Sequence, residues 1–95
     1  MGIEWNIRLK NKMISEIYPL IQNCLIAEGV ENFNIHSSRI LVPSAHDNWN
    51  DMEFIFYDDH IYCIHHGGVT NGQHIMMKIE KMLKEAKFDF SVEEL

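Results

Sequence analysis

Between Arg39 and Lys78 the chain contains no lysine or arginine. The same interval holds Asp47, Asp51, Glu53, Asp58 and Asp59, five acidic residues out of a whole-chain net charge of −6. A surface so short of cations is a poor phosphate binder, because affinity for a nucleic-acid backbone rests on Lys and Arg displacing counterions. Direct binding of DNA or RNA is therefore not expected. Cysteine is scarce too: Cys24 and Cys63 lie far apart, each in an apolar stretch, with no C-x-x-C spacing. That argues against a disulfide framework or a zinc knuckle and marks both as small buried thiols. No apolar run approaches the roughly 20 residues that span a bilayer. The first residues, Met1-Gly-Ile-Glu-Trp-Asn-Ile-Arg8, have neither the basic region nor the apolar core of a secretory signal. A soluble cytoplasmic protein without membrane contact is the expectation.

Linkers, low-complexity tracts and internal repeats are also missing, so residues 1–95 read as a single domain. A chain of this length builds one core and leaves little room for an enclosed substrate cavity. Its 46% apolar and 23% charged residues are an ordinary globular composition.

From Trp5 to Glu28, the residues Ile7, Ile14, Ile17, Ile21, Cys24 and Leu25 fall at helical spacing, and Gly29 follows as a stop. Against one straight helix stand Pro19, which lacks a donor, and the strict alternation of Ile3, Trp5, Ile7 and Leu9. A long helix bent near Pro19 is preferred to a strand followed by a helix from about Lys12. Phe33, Ile35, Ile40, Leu41 and Val42 predict an extended segment, interrupted at Ser37-Ser38 and stopped by Pro43. Met52 to His66 reads as a β-hairpin with Asp58-Asp59 at its turn. Phe56 then faces Ile61, Phe54 faces Cys63 and Met52 faces His65. Phe54, Phe56, Ile61 and Cys63 are assigned to the core, while Ile55, Tyr62 and Ile64 leave the other face less polar than a plain solvent face. Residues 67–72 form a loop by composition, with Thr70 or Asn71 capping a helix whose stripe is Ile75, Ile79, Met82, Leu83 and Ala86. Phe88, Phe90 and Val92 alternate with polar residues as a short last strand. The expected class is α+β: a small antiparallel sheet of three to four strands, with an N-terminal helix and a C-terminal-half helix packed on one face.

Six histidines raise the question of a metal, with His60, His65, His66 and His74 foremost. Consecutive strand residues point to opposite faces, so His65 and His66 do not share an ion readily, and no H-x-x-x-H or H-E-x-x-H spacing lies on a helix. Cys63 and His65 share a face, but it is the face assigned to the core, where a thiolate is disfavoured. Ser44, His46 and Asp47 contain the residue types of a hydrolase triad without a G-x-S-x-G elbow, and neighbours on one loop rarely converge. No catalytic residue, metal ligand or cofactor is assigned, and the chain is not expected to be an enzyme.

Trp49 is the most informative single residue. Flanked by Asn48 and Asn50, with Asp47 and Asp51 outside, it belongs to no periodic element. It reads either as a lid over the core or as an exposed anchor, and tryptophan is enriched at binding hot spots. Surrounding carboxylates would steer it toward a positive surface. The assigned partner-binding residues are Asp47, Asn48, Trp49, Asn50, Asp51, Glu53, Asp58 and Asp59, and the expected partner is a basic protein.

On Asp47-Asn-Trp-Asn-Asp51, the acidic hairpin and its size and charge, the chain resembles the immunity proteins of bacterial toxin systems, such as contact-dependent growth inhibition. The resemblance implies stoichiometric blocking of the positive groove of a nuclease-type toxin. Asp47, Asp51, Glu53, Asp58 and Asp59 would stand in for phosphates, with Trp49 as apolar anchor. Such families vary widely in fold, so no residue role is carried over from a known member. Phage-encoded inhibitors of host defence share these features. Two other classes stay open: a metal-binding or Cys/His enzyme domain built on Cys63, His65, His66 and His74, and an adaptor or chaperone-like subunit that dimerises through Ile55, Tyr62 and Ile64.

Overall fold

The computed structural model describes residues 3–10, 14–30, 33–36, 38–43, 50–66 and 72–95. Among them, six strands and two helices follow one another as β1 (Ile3–Leu9), α1 (Ile14–Ala27), β2 (Asn34–His36), β3 (Arg39–Pro43), β4 (Asn50–Phe56), β5 (His60–His65), α2 (Gly72–Glu85) and β6 (Phe90–Glu94). The strands form one antiparallel sheet in the order β2-β3-β4-β5-β1-β6. The α+β class is as expected, but the sheet has six strands rather than three or four.

The N-terminal segment accounts for part of the difference. Residues 3–9 are a strand and not the start of a long helix, so the period-2 alternation prevails over the looser helical spacing. Trp5 pairs with Cys63 and Ile7 with Ile61, and all four side chains are buried. A helix there would have left that apolar face unmatched. Within residues 33–43 there are likewise two antiparallel strands, β2 and β3, with Ile35 opposite Ile40 and His36 opposite Arg39. In the β4–β5 hairpin the register is the one the alternation predicts: Met52 with His65, Phe54 with Cys63 and Phe56 with Ile61.

Both helices lie on the face formed by Trp5, Ile7, Ile40, Val42, Met52, Phe54, Ile61 and Cys63. Helix α1 adds Ile17, Ile21, Cys24 and Leu25, one stripe at i, i+4, i+7 and i+8. Pro19 lies inside α1 on its exposed side. Gly29, at φ 81°, closes the helix: its N–H bonds Ile26 O and the Val30 N–H bonds Leu25 O, at 3.1 and 3.0 Å. This left-handed ending suits glycine. Helix α2 ends in the same way with Lys87 at φ 62°. Its buried residues are Gly72, Ile75, Met76, Ile79 and Leu83, whereas Ala86 falls in the turn beyond it and is exposed. Phe56, assigned to the core, is only half-buried and packs on Tyr18 with ring centroids 4.6 Å apart.

Gly72, the first residue of α2, sits directly on His65. A Cβ there would come within 2.8 Å of His65 Cβ and closer still to its ring. Those atoms lie near the root of a side chain fixed in a strand, so they cannot swing aside. Gly72→Ala is expected to lose about 1–3 kcal/mol of stability from the overlap, more than the gain of about 1 kcal/mol that alanine brings to a helix. His65→Ala in the same background should recover part of the loss. Urea denaturation checks both, and a stabilised Gly72→Ala contradicts the close packing.

Candidate functional site

The helices cover one face of the sheet, and among the described residues no element covers the other. Alternation places the partners of the core residues on this open face. Three rows run across it. The first joins Leu41, Glu53, Ile64 and Glu4, and the second joins Arg39, Ile55, Tyr62, Asn6 and Glu93. The third joins His60, Arg8 and Ser91, with the Tyr57 ring stacked on His60 at 4.7 Å. Ile55, Tyr62 and Ile64 are half-buried and contiguous on this face.

Charge is divided unevenly between the two layers. Helix α1, helix α2 and their following turns carry Lys78, Lys81, Lys84 and Lys87 against Glu16, Glu28, Glu80 and Glu85, which cancel. The strands and the residues joining them carry Glu4, Asp51, Glu53, Asp58, Asp59, Asp89, Glu93 and Glu94 against Arg8, Lys10 and Arg39. Among the described residues, eight acidic against three basic leave −5 on the sheet layer and none on the helices.

That excess is graded along the strands. On the side of the Tyr62 row toward Ile64 lie Glu4, Asp51, Glu53 and Glu94, and no described lysine or arginine. The Tyr62 row carries one charge of each sign at its opposite ends, Glu93 on β6 and Arg39 on β3. Beyond it, Asp58, Asp59 and Asp89 face Arg8 and Lys10, with Arg8 Nη1 3.7 Å from Asp59 Oδ2. His60 Nδ1 is 2.6 Å from Asp59 Oδ1, and this bond is the main reason the Asp59 carboxyl is held below its ordinary range. The acidic end of the sheet is also where Pro43 pairs with Asn50.

The assigned binding residues are therefore not all together. Asp47, Asn48 and Trp49 lie outside the described residues. Asn50 and Glu53 are at the acidic end, both half-buried. Asp51 is only 1% exposed, so its carboxylate is not presented to a partner. The cause is a β-bulge: the register shifts between Val42 and Pro43, Met52 pairs with Val42 and Asn50 with Pro43, and Asp51 is the extra residue. Its carbonyl accepts the His66 N–H at 2.8 Å. Asp58 and Asp59 are exposed at the hairpin turn, roughly 25 Å of strand away from Asn50. Glu4, Glu93 and Glu94 were not among the assigned residues. Long-range strand pairing brings Glu4 and Glu93 onto the open face and sets Glu94 opposite Trp5 on the other, and the alternation of Ile3, Trp5, Ile7 and Leu9 is the sequence signal for Glu4.

Two carboxylates of the acidic end are anchored. The Tyr62 O–H donates to Glu4 Oε1, and His66 Nε2 lies 2.8 Å from Glu53 Oε2. The bond to Glu4, then burial and the charges of Glu4 and Glu53, push the Tyr62 phenol up to about 12.

The residues of the Cys/His reading are dispersed. Cys63 is fully buried and burial pushes its thiol up, while Cys24 is pushed up to about 11 by burial and the nearby Glu28, with Lys78 opposing. Both thiols are free. His65 faces the core side over Gly72, His66 bonds Glu53, and His74 Nε2 pairs with Glu28 Oε2 at 2.7 Å between the helices. Among the described residues no group of three or more His, Cys, Asp or Glu is placed to hold a metal ion.

Two measurements follow. Because the folded phenol ionises above its ordinary value near 10, the stability it contributes is intact below that pH and is lost as pH rises toward about 12. Tyr62→Phe should flatten this alkaline limb in denaturation curves between the two values, and parallel curves for both proteins contradict the Glu4 bond. Ellman's reagent at mildly alkaline pH should modify neither Cys24 nor Cys63 until the chain is unfolded, and rapid reaction in the native state would reopen nucleophilic chemistry. Comparison of the chain with protein-family models, curated proteins and solved structures gives no match, so the reading of this face rests on its geometry and charge.

Proposed function

We propose that this chain is an inhibitor of the immunity-protein kind, which binds a basic, nuclease-type toxin domain in the cytoplasm and blocks its substrate groove. The supporting observation is the charge gradient: the uncovered face of the sheet ends in carboxylates with no described lysine or arginine among them. A groove built to hold phosphates is positive, and a carboxylate surface is its complement. Apolar Ile64, Tyr62 and Ile55 beside the carboxylates provide the area that a stable complex buries, while the charges speed encounter.

Within this proposal the binding residues are Glu4, Asn50, Glu53, Tyr62 and Ile64. Asp47, Asn48 and Trp49 stay among them as chain neighbours of Asn50. Asp51 serves the bulge instead, and Asp58 and Asp59 are set aside because they lie at the far end, with Arg8 beside Asp59. Binding rather than catalysis also suits the two buried thiols. Among the described residues no helix is long and apolar enough to cross a membrane.

The test uses a basic nuclease-type toxin domain, sought in the reading frames flanking this chain's gene. Glu4→Lys and Glu53→Lys should each slow association by about tenfold at low ionic strength, with the difference shrinking as salt is raised. Asp59→Lys should change the rate much less. Equal slowing by all three variants would remove the gradient as the basis of recognition, and no inhibition by the unaltered chain would end the proposal.

A further inference from the structure

Resting on that reading, we propose that the partner element seated on the open face is an α-helix crossing β4, β5 and β1. It carries Lys or Arg at positions i and i+7 and an apolar residue at i+3 or i+4. Glu53, Ile64 and Glu4 form one row across those three strands. Neighbouring strands lie about 4.8 Å apart, so the two carboxylate-bearing positions are roughly 10 Å apart with Ile64 between them. Seven residues of helix advance about 10.5 Å and return to nearly the same face. Same-face positions of an extended strand are spaced at about 6.7 Å and then about 13 Å, and miss the pair. Of the two regular elements, the helix alone sets a cation over each carboxylate while an apolar side chain meets Ile64.

The receptor side is prepared for this. Glu4 is anchored by the Tyr62 O–H and Glu53 by His66 Nε2 at 2.8 Å. A carboxylate has about four lone-pair sites, so each keeps acceptors for an ammonium or guanidinium. Anchoring beforehand lowers the ordering cost of binding. One row away, Ile55 and Tyr62 extend the apolar floor, and Arg39 beside Ile55 repels a helix whose cations have slipped by a row. A second copy of this chain is a poorer occupant, since it brings another net charge of −6.

The test titrates the isotopically labelled chain with two helix-stabilised synthetic peptides of identical composition. One has Arg at i and i+7 around Leu at i+3 and i+4, and the other has its arginines at i and i+5. The expected result is amide shifts centred on Glu4, Glu53 and Ile64, with about tenfold tighter binding of the first peptide. Glu4→Gln and Glu53→Gln should remove that preference while melting curves show the fold intact. Equal affinity for the two peptides, or shifts confined to α1 and α2, overturns the proposal. Sedimentation equilibrium showing a dimer that Ile64→Arg dissociates also overturns it, by placing a second copy on the face. If the first peptide binds as described and the chain nevertheless leaves the nuclease domain active, helix docking stands and the inhibitor reading falls.

Discussion

The insertion of Ile3–Leu9 between β5 and β6 is the constraint on which the rest of the molecule depends. One strand does two jobs through its pleat. Its odd-numbered residues send Trp5 and Ile7 into the core, and its even-numbered residues set Glu4, Asn6 and Arg8 on the open face. Burying two such side chains contributes about 1.5–3 kcal/mol each, and a register slip of one residue would turn both outward. The alignment that seals the core therefore also fixes Glu4 beside Ile64 and in line with Glu53. Without β1, the sheet would divide and the carboxylates would not share a row.

Distance decides which acidic residues act together. At physiological salt the screening length is about 8 Å. Glu4 and Glu53, roughly 10 Å apart across a half-buried surface, still reinforce one another. The hairpin turn with Asp58 and Asp59 is separated from that end by a full strand, and Arg8 offsets part of its charge locally. A count of acidic residues along the chain treats all of these as one cluster. Folding separates them into an end without lysine or arginine on its strands and one where Arg8 and Lys10 offset most of the charge.

Much of the architecture was legible because it is local. Facing pairs in the β4–β5 hairpin follow from alternation and a tight turn alone, and the stripes of α1 and α2 follow from helical period. Ile3 to Leu9 misled because its apolar residues also continue the spacing of α1, and the partners that favour a strand, Cys63 and Ile61, are more than fifty positions away in the sequence. The site was legible in sign but not in place. Asn50 and Glu53 lie where the acidic hairpin suggested, whereas Asp51 is withdrawn by a bulge that no residue pattern announces. Glu93 joins the face's edge only through pairing of the two ends of the chain, and Glu94, opposite Trp5, falls on the other side. Trp49, the residue that first drew attention to this region, lies outside the described residues.

Zero-length carbodiimide cross-linking of the complex with the basic nuclease domain tests the central claim most directly, because it joins only carboxylates in contact with partner lysines. The account predicts cross-links at Glu4 and Glu53, at the acidic end of the open face. Cross-links concentrated at Glu80 and Glu85 on α2, with Glu4 and Glu53 unmodified, would contradict it.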